Sequence, residues 1–280
     1  MQIGILARTF SRPTLGGLLA AIAQSGAEGV QFNFSCVGLP TLPEQISSTL
    51  TDQIRHEFVE HKLSLAAISG TFNLIHPDVR VRQDGLRRCK ELVRACARMG
   101  APVITLCTGT RDPENMWRRH PDNDSPAAWS DLLAGLGEML ALAEPSHVTL
   151  GVEPEPGNVM ASARKARRLL DELKSPRLKI VMDAANLIQA EDLPRKRETL
   201  EEAFDLLGGD IVIAHAKDVQ VDGELRHLAA GKGLLDYDHY LSLLKACGFA
   251  GPLILHELQE SEAAGCVEFL RGKLEARRSN

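Results

Sequence analysis

The sequence predicts an α/β protein built as a single (β/α)8 barrel spanning residues 1–280. Short β-branched apolar runs alternate with helical stretches from end to end, giving eight units in 280 residues, which suits this barrel in count and length. The runs are continuously apolar rather than alternating, as strands covered on both faces must be.

In chain order, the strand Ile3–Leu6 precedes a helix over Leu15–Ala23, and Gly29–Phe32 precedes one around Glu44–Glu60. Leu63–Ile68 leads to Val79–Met99, Pro102–Cys107 to Ala127–Ala143, and His147–Glu153 to Ala161–Leu173. Leu178–Asp183 leads to Thr199–Leu207, Ile211–Lys217 to Tyr237–Ala246, and Pro252–Glu257 to Glu262–Leu274. Gly100 and Gly248 fall where helices need a left-handed stop. A doubly wound sheet would carry a Gly-rich phosphate loop after its first strand, and RTFSRPT at 8–14 has no GxGxxG. No linker interrupts the pattern, and 276–280 reads as a frayed tail.

Composition narrows the function. Hydrophobic residues make up 44% and charged residues 25%, near the average for globular chains. No apolar run approaches the length of a membrane span, and the N-terminus lacks the pattern of a secretory signal. A net charge of −5 and 4% aromatics argue against a nucleic-acid partner. None of the six cysteines forms a CxxC pair, as expected of reduced thiols in a cytoplasmic protein.

Active sites of (β/α)8 barrels lie at the C-terminal ends of the strands. There the fifth to eighth strands end in Glu153, Asp183, His215 and Glu257, about one unit apart. Each alone reads as a helix cap, a rim ion pair or a core histidine. Four in phase on adjacent strands read as a metal site. Three carboxylates brought together without a cation would cost on the order of several kcal/mol. The set suits Mn²⁺ or Mg²⁺ first, then Co²⁺ or Zn²⁺. His256, adjacent to Glu257, is expected to face the helix layer. Asn33, Asn73 and Thr110 are candidate hydroxyl binders, and His76 is a further candidate substrate contact. Trp117, in a long loop running to about Pro126, is a candidate substrate wall. Glu155, Asn186 and Lys217 complete the candidate substrate contacts.

Taken in order, the segments TLCTGTRDPENMW at 105–117, GVEPEPGN at 151–158, MDAANL at 182–187, HAKDV at 215–219, AGKGLLDY at 230–237 and LHEL at 255–258 resemble the xylose isomerase-like TIM barrel superfamily. Within it they resemble the sugar phosphate isomerase/epimerase group. The resemblance implies one divalent metal on Glu153, Asp183, His215 and Glu257, with both glutamates moving a proton. One removes it from the carbon beside a carbonyl of a small ketose or related sugar, giving a stabilised enediolate, and the other returns it. Such relatives often form homodimers or homotetramers. The epimerases carry a histidine where this chain has Asn186. The strand-seven ending also resembles inosose or dehydroshikimate dehydratase-like lyases, which act on cyclic polyol ketones. An apurinic endonuclease, a third member type, uses three zinc ions and more histidines, and Asn186 and Cys107 stand near positions where those are expected.

Overall fold

The computed structural model describes residues 1–276. Eight parallel strands close into a barrel: β1 (Gln2–Leu6), β2 (Gly29–Phe32), β3 (Ser64–Ser69), β4 (Val103–Cys107), β5 (Thr149–Glu153), β6 (Leu178–Asp183), β7 (Ile211–Asp222) and β9 (Pro252–Leu255). Closure comes from β7 pairing with β9 and β9 with β1, for example His215 beside Ile254 and Gly4 beside Ile254. The main helices are α1 (Leu15–Gln24), α2 (Ser48–Glu60), α3 (Val79–Met99), α4 (Pro126–Ala143), α5 (Ala163–Leu173), α7 (Lys196–Leu207), α8 (Tyr237–Ala246) and α9 (Ala263–Ala276). A single turn, α6 (Ala184–Leu187), follows β6 directly. Of the expected tail, only Ala276 lies within the described residues, where it ends α9.

Two apolar layers hold the barrel. Ala67, Val103, Val181, Ile213 and Ile254 pack together inside it. Their strand neighbours, such as Ile104, Ile180, Ala214, Leu253 and Leu255, pack outward in the larger core that includes the helices. The inward residues set the phase of each strand, because side chains alternate faces. Short polar side chains start the helices as the sequence suggests: Ser47 accepts from Leu50 N, Ser125 from Ala128 N and Ser162 from Lys165 N. Gly100 and Gly248 take left-handed φ of 72° and 76°.

One element was not anticipated. β7 continues five residues past Lys217 and turns at Asp222-Gly223 into β8 (Glu224–Ala229), an antiparallel hairpin over the barrel mouth. Its base hangs on Asp218. That fully buried carboxylate accepts hydrogen bonds from the backbone N–H of Val219, Gly231 and Leu235 at 2.8–3.1 Å. Gly231 and Gly233 are what let the chain return here. Gly231 has φ 83°, and a Cβ on Gly233 would lie 2.3 Å from the Val219 carbonyl oxygen.

Replacing Asp218 by Ala strands two buried donors, Val219 N and Leu235 N, and the part-buried Gly231 N. We expect Asp218→Ala to lower unfolding free energy by about 2–4 kcal/mol in urea titrations. A loss below about 0.5 kcal/mol would show that the hairpin base does not depend on this carboxylate.

Candidate metal centre and active-site cavity

A cavity of about 610 Å³ opens at the C-terminal end of the barrel. Glu153, His215 and His256 reach it from three strand ends, with Asp183 buried alongside. Asp183, His215 and His256 each stand two residues beyond an inward core residue, Val181, Ile213 and Ile254, and Glu153 stands two beyond Gly151, where a Cβ would meet the inner-layer Val103 and Val181.

Asp183 is the hub. Its Oδ1 accepts from Ala185 N at 3.0 Å and Asn186 N at 3.3 Å, capping α6. Its Oδ2 lies 3.0 Å from His256 Nε2, 3.2 Å from Lys217 Nζ and 3.5 Å from His215 Nδ1. Burial opposes this charge, yet Lys217 and the two imidazoles hold the carboxyl well below the usual range. Lys217 is itself buried. Burial pulls its pKa down, but Asp183, Glu153 and Glu155 together raise it.

His215 carries the clearest signature. Gln31 donates its amide to Ser69 Oγ and Thr105 Oγ1, leaving Gln31 Oε1 to accept from His215 Nε2 at 3.1 Å. Nδ1 is then the free nitrogen. It is buried, has no hydrogen-bond partner among the described residues, and faces Glu153 Oε1 at 3.4 Å and Asp183 Oδ2 at 3.5 Å. Ligands about 2.1 Å from one ion stand roughly 3.0–3.4 Å apart, so these separations fit a shared cation. Asp183, His215 and His256 together form a candidate metal site.

His256 corrects the sequence reading. It was expected to face the helices; its ring instead packs edge-on against His215, centroids 4.5 Å apart, inside the mouth. The reason is strand phase. Ile254 is an inward residue, so 256 points inward and 257 does not. Glu257 adopts a left-handed φ of 56°, is exposed, and lines the cavity wall without a hydrogen bond or ion pair to the cluster.

The remaining candidates divide into three groups. Asn33, Trp117, Glu155 and Lys217 line the cavity. Asn186 lies behind it, donating Nδ2 to Glu153 Oε1 (2.7 Å) and Glu155 Oε2 (2.9 Å), while its Oδ1 accepts from Lys217 at 2.6 Å. Asn73, His76 and Thr110 do not line the cavity, because their polar atoms hold loops. Asn73 binds the backbone of Thr110, His76 Nε2 meets the Pro113 carbonyl, and the buried Thr110 hydroxyl donates to Arg118 O or Asn123 Oδ1. The 108–125 segment is a pinned wall. Asn158 ties Gly109 N to Met116 O, and a Cβ on Gly157 would lie 2.0 Å from the Trp117 carbonyl oxygen. Sequence reasoning missed Arg8, from the end of β1, and His227, from the hairpin, which also line the cavity. The Asp-Gly turn flanked by alternating residues was the available signal for His227.

Burial, then the Glu153 charge, raises Glu155 to about 7. Burial and the neighbouring Glu153 push the Cys107 thiol well up, which makes it a poor ligand.

The chain matches the family profile described as xylose isomerase-like TIM barrel over residues 19–273, and it belongs to that family. No curated protein matches the chain by sequence. Similar solved structures include a 3-keto-D-glucoside 4-epimerase from E. coli in its apo form (16% identity, covering 97% of this chain and 99% of that one, TM-score 0.73). Others are the IolI protein with a bound zinc atom (18%, 96% and 95%, 0.71) and a Mycobacterium smegmatis family member in complex with magnesium (14%, 98% and 97%, 0.74). At these identities the likeness is one of fold. Among the described residues, no helix is long and apolar enough to cross a membrane.

A pH dependence follows from His215. Burial lowers its pKa, but Glu153 and Asp183 outweigh this and raise it from 6.5 to about 9. A raised pKa stabilises the folded state fully below about 6.5, and that stabilisation is lost as pH rises through about 9. The melting temperature of chelator-treated protein should therefore fall between pH 7 and 9, and His215→Gln should flatten the fall. Equal slopes in the two proteins would refute this assignment.

Proposed function

We propose that the protein is a divalent-metal-dependent isomerase or epimerase acting on a small ketose or related sugar, by removal of a proton beside a carbonyl through an enediolate. The observation that carries this reading is the buried, unpartnered His215 Nδ1 facing Glu153 and Asp183 on the cavity floor.

Glu153, Asp183 and His215 would hold the ion. When bound, a divalent cation withdraws charge from a substrate carbonyl and so acidifies the neighbouring C–H bond. Glu153 is the base. Its Oε1 accepts from Asn186, while among the described residues its Oε2 has only the Cys107 thiol at 3.9 Å, a weak partner that leaves this oxygen able to take a proton. Lys217 has three donors. Asn186 and Asp183 engage two, and the third can serve an oxygen of the enediolate. Glu257, on the cavity wall, returns the proton in an epimerisation. Trp117 and Met116 offer an apolar wall, and Asn33 a polar contact.

A second reading rests on Glu155. At about 7, its carboxyl retains a proton for much of the time at neutral pH. In a lyase, Glu153 would take the carbon-bound proton, the C–O bond would break, and Glu155 would protonate the departing hydroxyl to give water and an unsaturated ketone.

Metal-loaded protein incubated with a ketose and cyclic polyol ketone panel in D₂O tests both. Deuterium incorporated beside the carbonyl supports the isomerase, and loss of water supports the lyase. Glu153→Gln should slow either reaction by roughly 10²–10⁴-fold, the usual worth of a general base. Near wild-type turnover in that variant would sink the mechanism.

A further inference from the structure

We infer that His256, rather than Glu257, is the fourth protein ligand of the centre, so that two imidazoles and two carboxylates select a zinc-class divalent ion over manganese or magnesium. The inference rests on the proposed metal reading and names the ion it takes.

Three observations carry it. The phase of β9 is set by Ile254 inside the barrel, which turns His256 to the same side as Glu153, Asp183 and His215. His256 Nε2 stands 3.0 Å from Asp183 Oδ2, the same oxygen that faces the unpartnered His215 Nδ1. Glu257 takes a left-handed φ of 56°, is exposed on the cavity wall, and is not among the ligand atoms that Asp183, His215 and His256 bring together. Exchanging a carboxylate for an imidazole in a first coordination shell moves preference from hard, oxygen-seeking ions toward zinc, cobalt and iron(II). It also removes one negative charge from the set.

Any such site binds zinc more tightly than manganese in absolute terms, so the informative quantity is how a ligand swap changes the ratio. Apoprotein is titrated calorimetrically with zinc sulfate and with manganese chloride alone, for wild type, His256→Ala, His256→Glu and Glu257→Gln, with circular dichroism confirming the fold. Wild type and Glu257→Gln should bind one zinc with the same affinity. His256→Ala should lose about tenfold or more, and His256→Glu should narrow the zinc-to-manganese ratio by a similar factor. Cobalt substitution adds a second readout: its visible spectrum should change in His256→Glu and stay constant in Glu257→Gln. If His256→Ala fails to fold, the His256→Glu ratio and spectrum decide. Loss of zinc in Glu257→Gln with retention in the His256 variants would overturn this assignment and leave the metal-dependent reading standing. No metal binding by wild type would overturn both.

Discussion

A carboxylate buried at the mouth of an apolar barrel is tolerable only if every lone pair is answered, and the site is organised around answering those of Asp183. One oxygen caps the α6 turn through two backbone N–H groups, and the other gathers His256, Lys217 and His215. Three strands and the first turn after β6 thus converge on one side chain. Removing it would leave Glu153 and Glu155 as the only carboxyls in the cluster to balance the buried ammonium, and would take from His256 its ion-pair partner. This explains why the cluster forms in the folded apoprotein: protons and Lys217 carry the positive charge there. A cation entering the site would take over part of that charge, which links binding to proton release.

The surroundings are correspondingly stiff. Gln31 is locked by Ser69 and Thr105 before it orients His215, so three strands determine one imidazole tautomer. Asn186 joins Glu153, Glu155 and Lys217 from behind, and Tyr240 ties the Met182 and His215 carbonyls together at the ends of β6 and β7. Asn123, Asn158 and Asp218 fix the two longest connections above the barrel by binding backbone groups. Polar residues clustered in loops therefore do different work at equal prominence in the sequence: some face the cavity, and others hold its wall.

That distinction marks the limit of what the sequence discloses. Strand runs and their helices were legible because continuous apolar segments and capping residues act locally. Glu153, Asp183 and His215 were legible because they terminate such runs at regular spacing. Asn73, His76 and Thr110 looked like substrate contacts because Asn73 and His76 meet partners 37 residues away, at Thr110 and Pro113, and Thr110 meets Arg118 and Asn123 in irregular backbone that leaves no periodic trace. His256 was misjudged through its neighbour. With two adjacent polar residues, taking Glu257 as the last inward position reverses the phase of the whole strand end. Counting back to Ile254 gives the right parity, but only once the inner layer of the barrel is known. The hairpin carrying His227 had a local signal in Asp222-Gly223 that an expected loop obscured.

The parity of one strand has a chemical consequence if the centre binds a divalent ion as proposed. Two carboxylates, Glu153 and Asp183, would balance such an ion, leaving the buried Lys217 ammonium as surplus positive charge. A third carboxylate at position 256 would have cancelled that surplus in the resting site. Removing a proton beside a carbonyl places a new negative charge on oxygen, and an environment that is positive beforehand stabilises that charge more than it stabilises the neutral substrate. On that reading the imidazole at position 256 would leave Lys217 electrostatically available to the reacting oxygen, while its uncharged form would keep the ligand atom in place. Glu257, on the wall, would then do its proposed proton chemistry apart from ion binding.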